Sequence, residues 1–347
     1  MTKVEEQIKN SIEQVKKAQI PEKLRERLLG RLDQLEGLVE SPTFLPEFDS
    51  MTRYLEWTLS LPWQAKTKDI LDLGYTRKVL DKNHYGLSEI KDRILEYISV
   101  MKLKSEERKT EEITRAPILC FVGLVGTGKT TIALSIAEAM GRRFARIPFG
   151  GMGDPLELRG QSRMHSESEP GKIIKALRMT QAKNCVILLD EIDRVTDTGR
   201  ASIMGVLIEL LDPAQNSQFV DHYIDYPFDL SEVLFIATAN NTQNIATAVL
   251  DRLEPLSMPS YSDQEKITIG RDYMLPKIMK EAGISENALI IDDDVWAQIV
   301  RPLGYDAGMR TLERTIQQTA RKVARMIVEG KGDSFRITKD NVKQFIQ

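Results

Sequence analysis

Residues 123–130 read GLVGTGKT, with the apolar run ILCFV (118–122) before them and TIALSIAEAM (131–140) after. An apolar run, a glycine-rich octamer ending in Gly-Lys-Thr and a helical stretch spell strand, phosphate-cradling loop and helix. Small residues let backbone N–H groups point into such a loop. The Lys129 amine is then placed to bridge outer phosphates, and the Thr130 hydroxyl to hold magnesium at a helix N-terminus. The candidate cofactor-binding residues are therefore Gly123, Leu124, Val125, Gly126, Thr127, Gly128, Lys129, Thr130 and Thr131. A loop of this kind serves kinases, GTPases and motor ATPases alike, so it does not name the reaction.

The next motif narrows the choice. CVILLDEID (185–193) is an apolar strand ending in adjacent carboxylates. Asp190 can bind magnesium through water, while Glu191 can orient and polarise a water for attack on a terminal phosphate. A small-molecule kinase has no use for that water, and the Asn-Lys-x-Asp base-reading motif of a GTPase is absent. A third strand, VLFIATAN (233–240), ends at Asn240, suited to holding the attacking water opposite Glu191. LDRLE follows with Arg252, and GMRTLER with Arg310. Arginine stays charged, and its planar fork neutralises charge developing on a transferring phosphoryl group. Either arginine alone would be an ordinary surface residue; their order after the Asn240 strand is what singles them out.

Composition sets the limits around this core. With 347 residues, 41% of them hydrophobic, the chain is too long for one ordinary domain. The 48 basic and 51 acidic residues leave a formal net charge of -3, so no whole-chain field draws in nucleic acid or an anionic membrane. Cys120 and Cys185, the two cysteines, sit in apolar runs without metal-ligand or disulfide spacing, which fits a reducing, cytoplasmic setting. His84, His165 and His222 are far apart, arguing against a histidine metal site. No apolar run approaches the about 20 residues that span a bilayer, so no membrane association is expected.

Along the chain, the reading is an all-helical N-terminal region over 1–66, an α/β nucleotide-binding domain with a parallel sheet over 67–256, and a small helical lid over 257–347, where the strands stop. Leu24, Leu28, Leu32 and Leu35 form one apolar helix face whose partner is a neighbouring helix, a coiled-coil mate or a bound substrate. The charged run KSEERKTEEITR (104–115) reads as a solvated connection.

With these residues assembled, the chain resembles an AAA+ ATPase of the P-loop NTPase class, and more closely the ATPase part of the Lon proteases. The phrases that carry the resemblance are YLEWTLSLPW, LDKNHYGLSEIKDRILEYISV, GRRFARIPFGG, LLDEID, LLDPAQNSQFVDHYIDYPFDLSEVLFIATAN, LDRLE and AGMRTLERTI. The resemblance implies ATP and Mg2+ as cofactors. It makes Asn240 a sensor 1, Arg252 an arginine finger donated to the neighbouring subunit, Arg310 a sensor 2, and His84, Tyr85 and Gly86 neighbours of the adenine. It also implies a homo-oligomeric ring, usually a hexamer, whose central loops grip an unfolded protein and pull it toward a protease domain.

Three departures from that pattern stand out. The sequence ends at Gln347, where the family passes into a protease domain with a serine-lysine dyad, so no peptidase is expected among these residues and a separate peptidase is a candidate partner. The first central loop of the family carries an aromatic-aliphatic pair, where RMHSESEPG (163–171) has His165 and Ser166 flanked by Glu167 and Glu169. Those acidic residues also argue against nucleic acid. The second central loop has Gly199 in place of an aromatic. The sequence thus leads to an ATP-driven remodeller or unfoldase without its own protease, with the ATPase part of a complete Lon protein and a nucleotide-dependent assembly scaffold as alternatives.

Overall fold

The computed structural model describes residues 3–39, 41, 44–106, 118–165, 167–301 and 308–346. Five helices come first: α1 (Lys3–Lys17), α2 (Glu22–Glu36), α3 (Phe44–Leu59), α4 (Leu73–Asn83) and α5 (Ser88–Glu106). The central part alternates β1 (Ile118–Val122), α6 (Lys129–Ala139), β2 (Phe144–Pro148), α7 (Leu156–Arg159), α8 (Lys172–Thr180), β3 (Val186–Asp190) and α9 (Arg200–Leu211). It continues through β4 (Phe219–Val220), β5 (Pro227–Phe228), β6 (Leu234–Ala239), α10 (Thr247–Leu250) and β7 (Leu253–Ser257). The last part holds α11 (Asp263–Ile269), α12 (Leu275–Glu281), β8 (Leu289–Ile291), α13 (Trp296–Val300), α14 (Arg310–Val328), β9 (Phe335–Ile337) and α15 (Val342–Phe345).

The main sheet is five-stranded, in the order β2-β3-β6-β1-β7. Phe144 lies opposite Val186 and Val186 opposite Leu234 in parallel register. Every residue of β3 and β6 is buried, which is what strands covered on both faces require and why VILLD and LFIATA read as continuous apolar runs. Cys120 and Cys185 are buried free thiols.

The chain forms two compact units: Met1–Ile70, Leu103–Cys120 and Met140–Glu254 make the first; Leu71–Lys102, Phe121–Ala139 and Pro255–Gln347 make the second. In the first, the leucine stripe of α2 is fully covered, and Ile8 and Val15 of the adjoining α1 are equally buried, so a helix of the same chain takes the face. The Arg25 guanidinium locks this pair by donating to the Val15 and Lys16 carbonyls. Tyr54 of α3 donates to the Ile224 carbonyl at 2.9 Å, and the Trp63 ring packs on Phe228, which fastens the N-terminal helices to the β4–β5 hairpin.

In the second unit, α4 starts at an Asp72 cap on the Tyr75 amide and packs on α6. A Ser262–Glu265 capping box starts α11. The helices around Trp296, Leu312, Ile316 and Val323 share one core. The strands do not stop at 257: β8 and β9 pair in parallel inside this helical piece, with Leu289 opposite Phe335. Three-residue strands are too short to print a period-2 pattern, so the sequence did not show them. The expected connection at 104–115 lies largely outside the described residues. Among the described residues no helix is long and apolar enough to cross a membrane.

Candidate nucleotide site

The candidate phosphate loop follows β1 and ends at Lys129, the first residue of α6. Gly126 and Gly128 have φ of 83° and 94°, a left-handed conformation that glycine adopts without strain. Lys129 is buried, and its ammonium donates to the Gly123 carbonyl and, at 3.0 Å, to that of Leu124. The Thr127 hydroxyl donates to the Leu124 carbonyl and that of Thr131 to Gly128, so both side chains brace the loop. Thr130 stays half-buried on the first turn of α6.

The lid rests on this loop. Met309 N donates to the Gly126 carbonyl at 3.0 Å, and a Cβ on Gly308 would lie 2.4 Å from the Val125 carbonyl. Gly308 thus permits backbone-to-backbone approach. Arg310 opens α14 beside Gly126, with its Cγ 3.4 Å from where a Gly126 Cβ would stand. The Tyr261 hydroxyl reaches the Thr127 carbonyl at 3.4 Å, and burial pushes its pKa up to about 12, so it remains a donor.

The His84–Gly86 turn sits on the same helix pair. His84 Nε2 is 2.9 Å from Ser135 Oγ of α6, and the His84 carbonyl accepts from the Lys91 ammonium, which also pairs with Asp81. Burial, then the Lys91 charge, lowers the His84 pKa to about 4, so the ring is neutral. Gly86 and Leu87 both have positive φ, forming a sharp turn that leaves Tyr85 edge-on to Tyr273 at 6.3 Å.

In the first unit, the acidic end of β3 is laced to β6 by residues the motif reading missed. Thr238 Oγ1 donates to Asp190 Oδ1 at 2.5 Å and accepts from Glu191 N at 2.8 Å. Asp193 Oδ1 accepts from Asn240 N at 3.1 Å, and Oδ2 from Asn241 N. Arg146 of β2 pairs with Asp190 through both Nε and Nη2, at 2.7 and 2.6 Å. Glu191 itself has φ 58° and ψ 49°, a left-handed conformation costly for a residue with a side chain. That turn directs the chain so that Asp190 is buried while the Glu191 side chain keeps 26% of its exposure. Gly150 faces it, since a Cβ there would press to 3.3 Å of Glu191 Oε2.

Arg252 is held within its own chain: Nη1 donates to the Ala248 carbonyl at 2.7 Å and Nη2 to Asp212 Oδ2 at 3.1 Å. Asp212 also accepts from Ala214 N, and these bonds lower its pKa. Of the two central-loop departures, Ser166 lies outside the described residues. Gly199 caps α9, where a Cβ would fall 2.2 Å from the Gly153 carbonyl. The aromatic that the resemblance places there has no room at that position.

The helical piece after β7 thus meets the glycine-rich loop through its own backbone. Residues 119–258 match the ATPase family associated with various cellular activities (AAA). Residues 280–335 match the Lon protease AAA+ ATPase lid domain, and the chain belongs to the Lon family as its AAA+ portion. It is 43% identical over 342 residues to the Lon protease of Lawsonia intracellularis, covering 99% of this chain and 40% of that protein. Lon protease 2 of Thermus thermophilus is 43% identical over 84% of this chain and 37% of its own length; the Lon protease of Geobacter metallireducens is 41% identical over 98% and 40%. The chain thus spans about 40% of the length of the relatives it matches.

Proposed function

We propose that this AAA+ ATPase hydrolyses ATP in a homo-oligomeric, hexamer-type ring and converts nucleotide state into movement of a protein partner in the cytoplasm. The observation that carries the reading is Glu191: a strained left-handed turn, fixed by Thr238, keeps its carboxylate accessible beside a buried Asp190. Strain held in place by tertiary bonds is characteristic of catalytic positions. In this reading the loop 123–131, with Lys129 at its end, binds the phosphates, Glu191 takes the proton of the attacking water, Asn240 orients that water, and Arg252 is offered to a neighbouring subunit. Arg310 reports the phosphate to the lid, and His84, Tyr85 and Gly86 line the base. The functional partition is 1–66, 67–256 and 257–347.

Among the described residues no three His, Cys, Asp or Glu side chains group to cage a metal. Mg2+ keeps waters and phosphate oxygens as ligands, so one carboxylate, Asp190, and one hydroxyl, Thr130, would hold it in this reading. When bound, the ion neutralises phosphate charge. Arg146 orients the Asp190 carboxylate through its paired contacts. No residue of the present sequence is assigned to peptide hydrolysis; a peptidase, in the same polypeptide or separate, is part of the proposal.

The crowded Gly199 position favours a second reading, in which nucleotide controls assembly and little polypeptide is threaded. Two measurements decide. Glu191→Gln should bind ATP as wild type does and lose about a hundredfold or more in turnover, whereas Lys129→Ala should lose binding. Equal turnover in Glu191→Gln and wild type would remove Glu191 from its role. Failure of a permanently unfolded protein to stimulate the wild-type ATPase would favour the scaffold.

A further inference from the structure

The loop 161–170 is built as a clasp. Gln161 N donates to the Glu169 carbonyl at 3.1 Å, closing its base, and the flanking Gly160 and Gly171 touch: a Cβ on Gly171 would lie 2.6 Å from Gly160 N. Both glycines lean on one carboxylate. Asp221, only 1% exposed, accepts from Gly171 N at 2.7 Å through Oδ2, and from Tyr223 N and Ile224 N at 2.8 and 3.1 Å through Oδ1. Gly160, at φ 75°, lies so close that a Cβ would sit 2.7 Å from Asp221 Oδ1. His222 N donates to the Arg159 carbonyl at 2.7 Å, adding a parallel tie.

A second joint lies further out. The Arg163 guanidinium stacks 3.7 Å from the Tyr54 ring centroid and lies 3.8 Å from Asp225, which Arg27 of α2 also grips. Met164, one residue along, is 93% exposed. The base of the loop is therefore tied to the β4–β5 hairpin and to α2 and α3, while Met164 stands in solvent.

We infer that Asp221 is the positioning residue of loop 161–170, joining both of its ends to the hairpin and the N-terminal helices so that force at the tip is carried into that layer. The inference rests on the reading that this loop meets the protein partner, but its geometry is tested without it. Two separate oxygens are needed, since one serves the stem and the other the turn. An amide keeps one acceptor, so Asp221→Asn retains the Tyr223–Ile224 turn while turning an N–H donor against Gly171 N.

The experiment is tryptic digestion of the full chain together with ATPase assays, on wild type, Asp221→Asn and Gly160→Ala, which attacks the same joint from the other side. Loss of a charge-assisted bond predicts about tenfold faster cleavage after Arg163 with cleavage elsewhere unchanged. Basal ATPase should stay within about twofold, while stimulation by carboxymethylated, permanently unfolded α-lactalbumin falls about fivefold or more. Unchanged cleavage after Arg163 in both variants overturns the inference; so does acceleration shared by all sites, which would mean a general structural role. Normal stimulation despite faster cleavage overturns the force-bearing role. If wild type is not stimulated, the reading of the loop as partner contact fails while the cleavage result still decides whether Asp221 positions it. Should both variants fail to fold, hydrogen exchange on wild type serves: Gly171 N must be protected along with Tyr223 N and Ile224 N, and free exchange at Gly171 alone overturns the joint.

Discussion

Burial, assisted by the Lys91 ammonium, lowers the His84 pKa from 6.5 to about 4, and a histidine kept neutral by its fold makes stability depend on pH in a defined direction. The unfolded chain takes up this proton near pH 6.5 and the folded chain only near 4, so the contribution is complete above 6.5 and is lost as pH falls between the two values. Converted at 1.36 kcal/mol per pKa unit, the full swing is about 3 kcal/mol. Urea unfolding at pH 7 and 4.5 should therefore show wild type losing about 2 kcal/mol more than His84→Gln, whose side chain does not titrate. Parallel losses would mean that the ring charges without cost. At this scale the sequence singled out Lys129, Asp190, Glu191 and Asn240 as candidates, because adjacent strand-end motifs are linear. It did not disclose Thr238 and Arg146, whose roles exist only once β6 and β2 flank β3.

Helix α9 has one glycine at its N-cap, Gly199, and another within it, Gly205, in opposite surroundings, and they test how far packing sets the start of this helix. A methyl on Gly199 meets the Gly153 carbonyl at 2.2 Å, whereas nothing lies within 4 Å of one on Gly205. Overpacking against backbone costs about 1 to 3 kcal/mol, while glycine to alanine inside a helix returns up to about 1 kcal/mol. Gly199→Ala should thus lower Tm and Gly205→Ala raise it, read by differential scanning calorimetry. A fall of equal size in both would show that α9 does not dock through Gly199. The same contact explains what the sequence could not say: the comparison of motifs aligned Gly199 with an aromatic, but its neighbour Gly153 is 46 residues away in sequence and is brought there by tertiary folding. Strands β1, β3 and β6 were legible because burial on both faces makes them continuously apolar. The β4–β5 hairpin and the β8–β9 pair were not, having two or three residues each.

In the single chain the Arg252 guanidinium is already satisfied by the Ala248 carbonyl and by Asp212, with its side chain 29% exposed. A cation stored this way contributes to hydrolysis only if a better anion competes for it, and a transferring phosphoryl group in an adjoining subunit is such an anion. Because the phosphate loop and the finger would then come from different copies, defects in them should complement. Arg252→Ala subunits keep the loop, and Lys129→Ala subunits keep the finger. In an equimolar, randomly mixed assembly, half of the positions supply an intact loop and half of their neighbours an intact finger, so about a quarter of the interfaces are complete. Mixing two inactive proteins should restore about a quarter of wild-type ATPase activity per subunit, with subunit exchange verified by native mass spectrometry. Were Arg252 to act on its own chain's nucleotide, every subunit in the mixture would lack one component and activity would stay at the level of the separate variants. Adding Asp212→Asn to the Lys129→Ala subunits refines the argument, since a finger released from its store should complement at least as well, while loss of complementation would mean that Asp212 aims the guanidinium at the neighbouring phosphate.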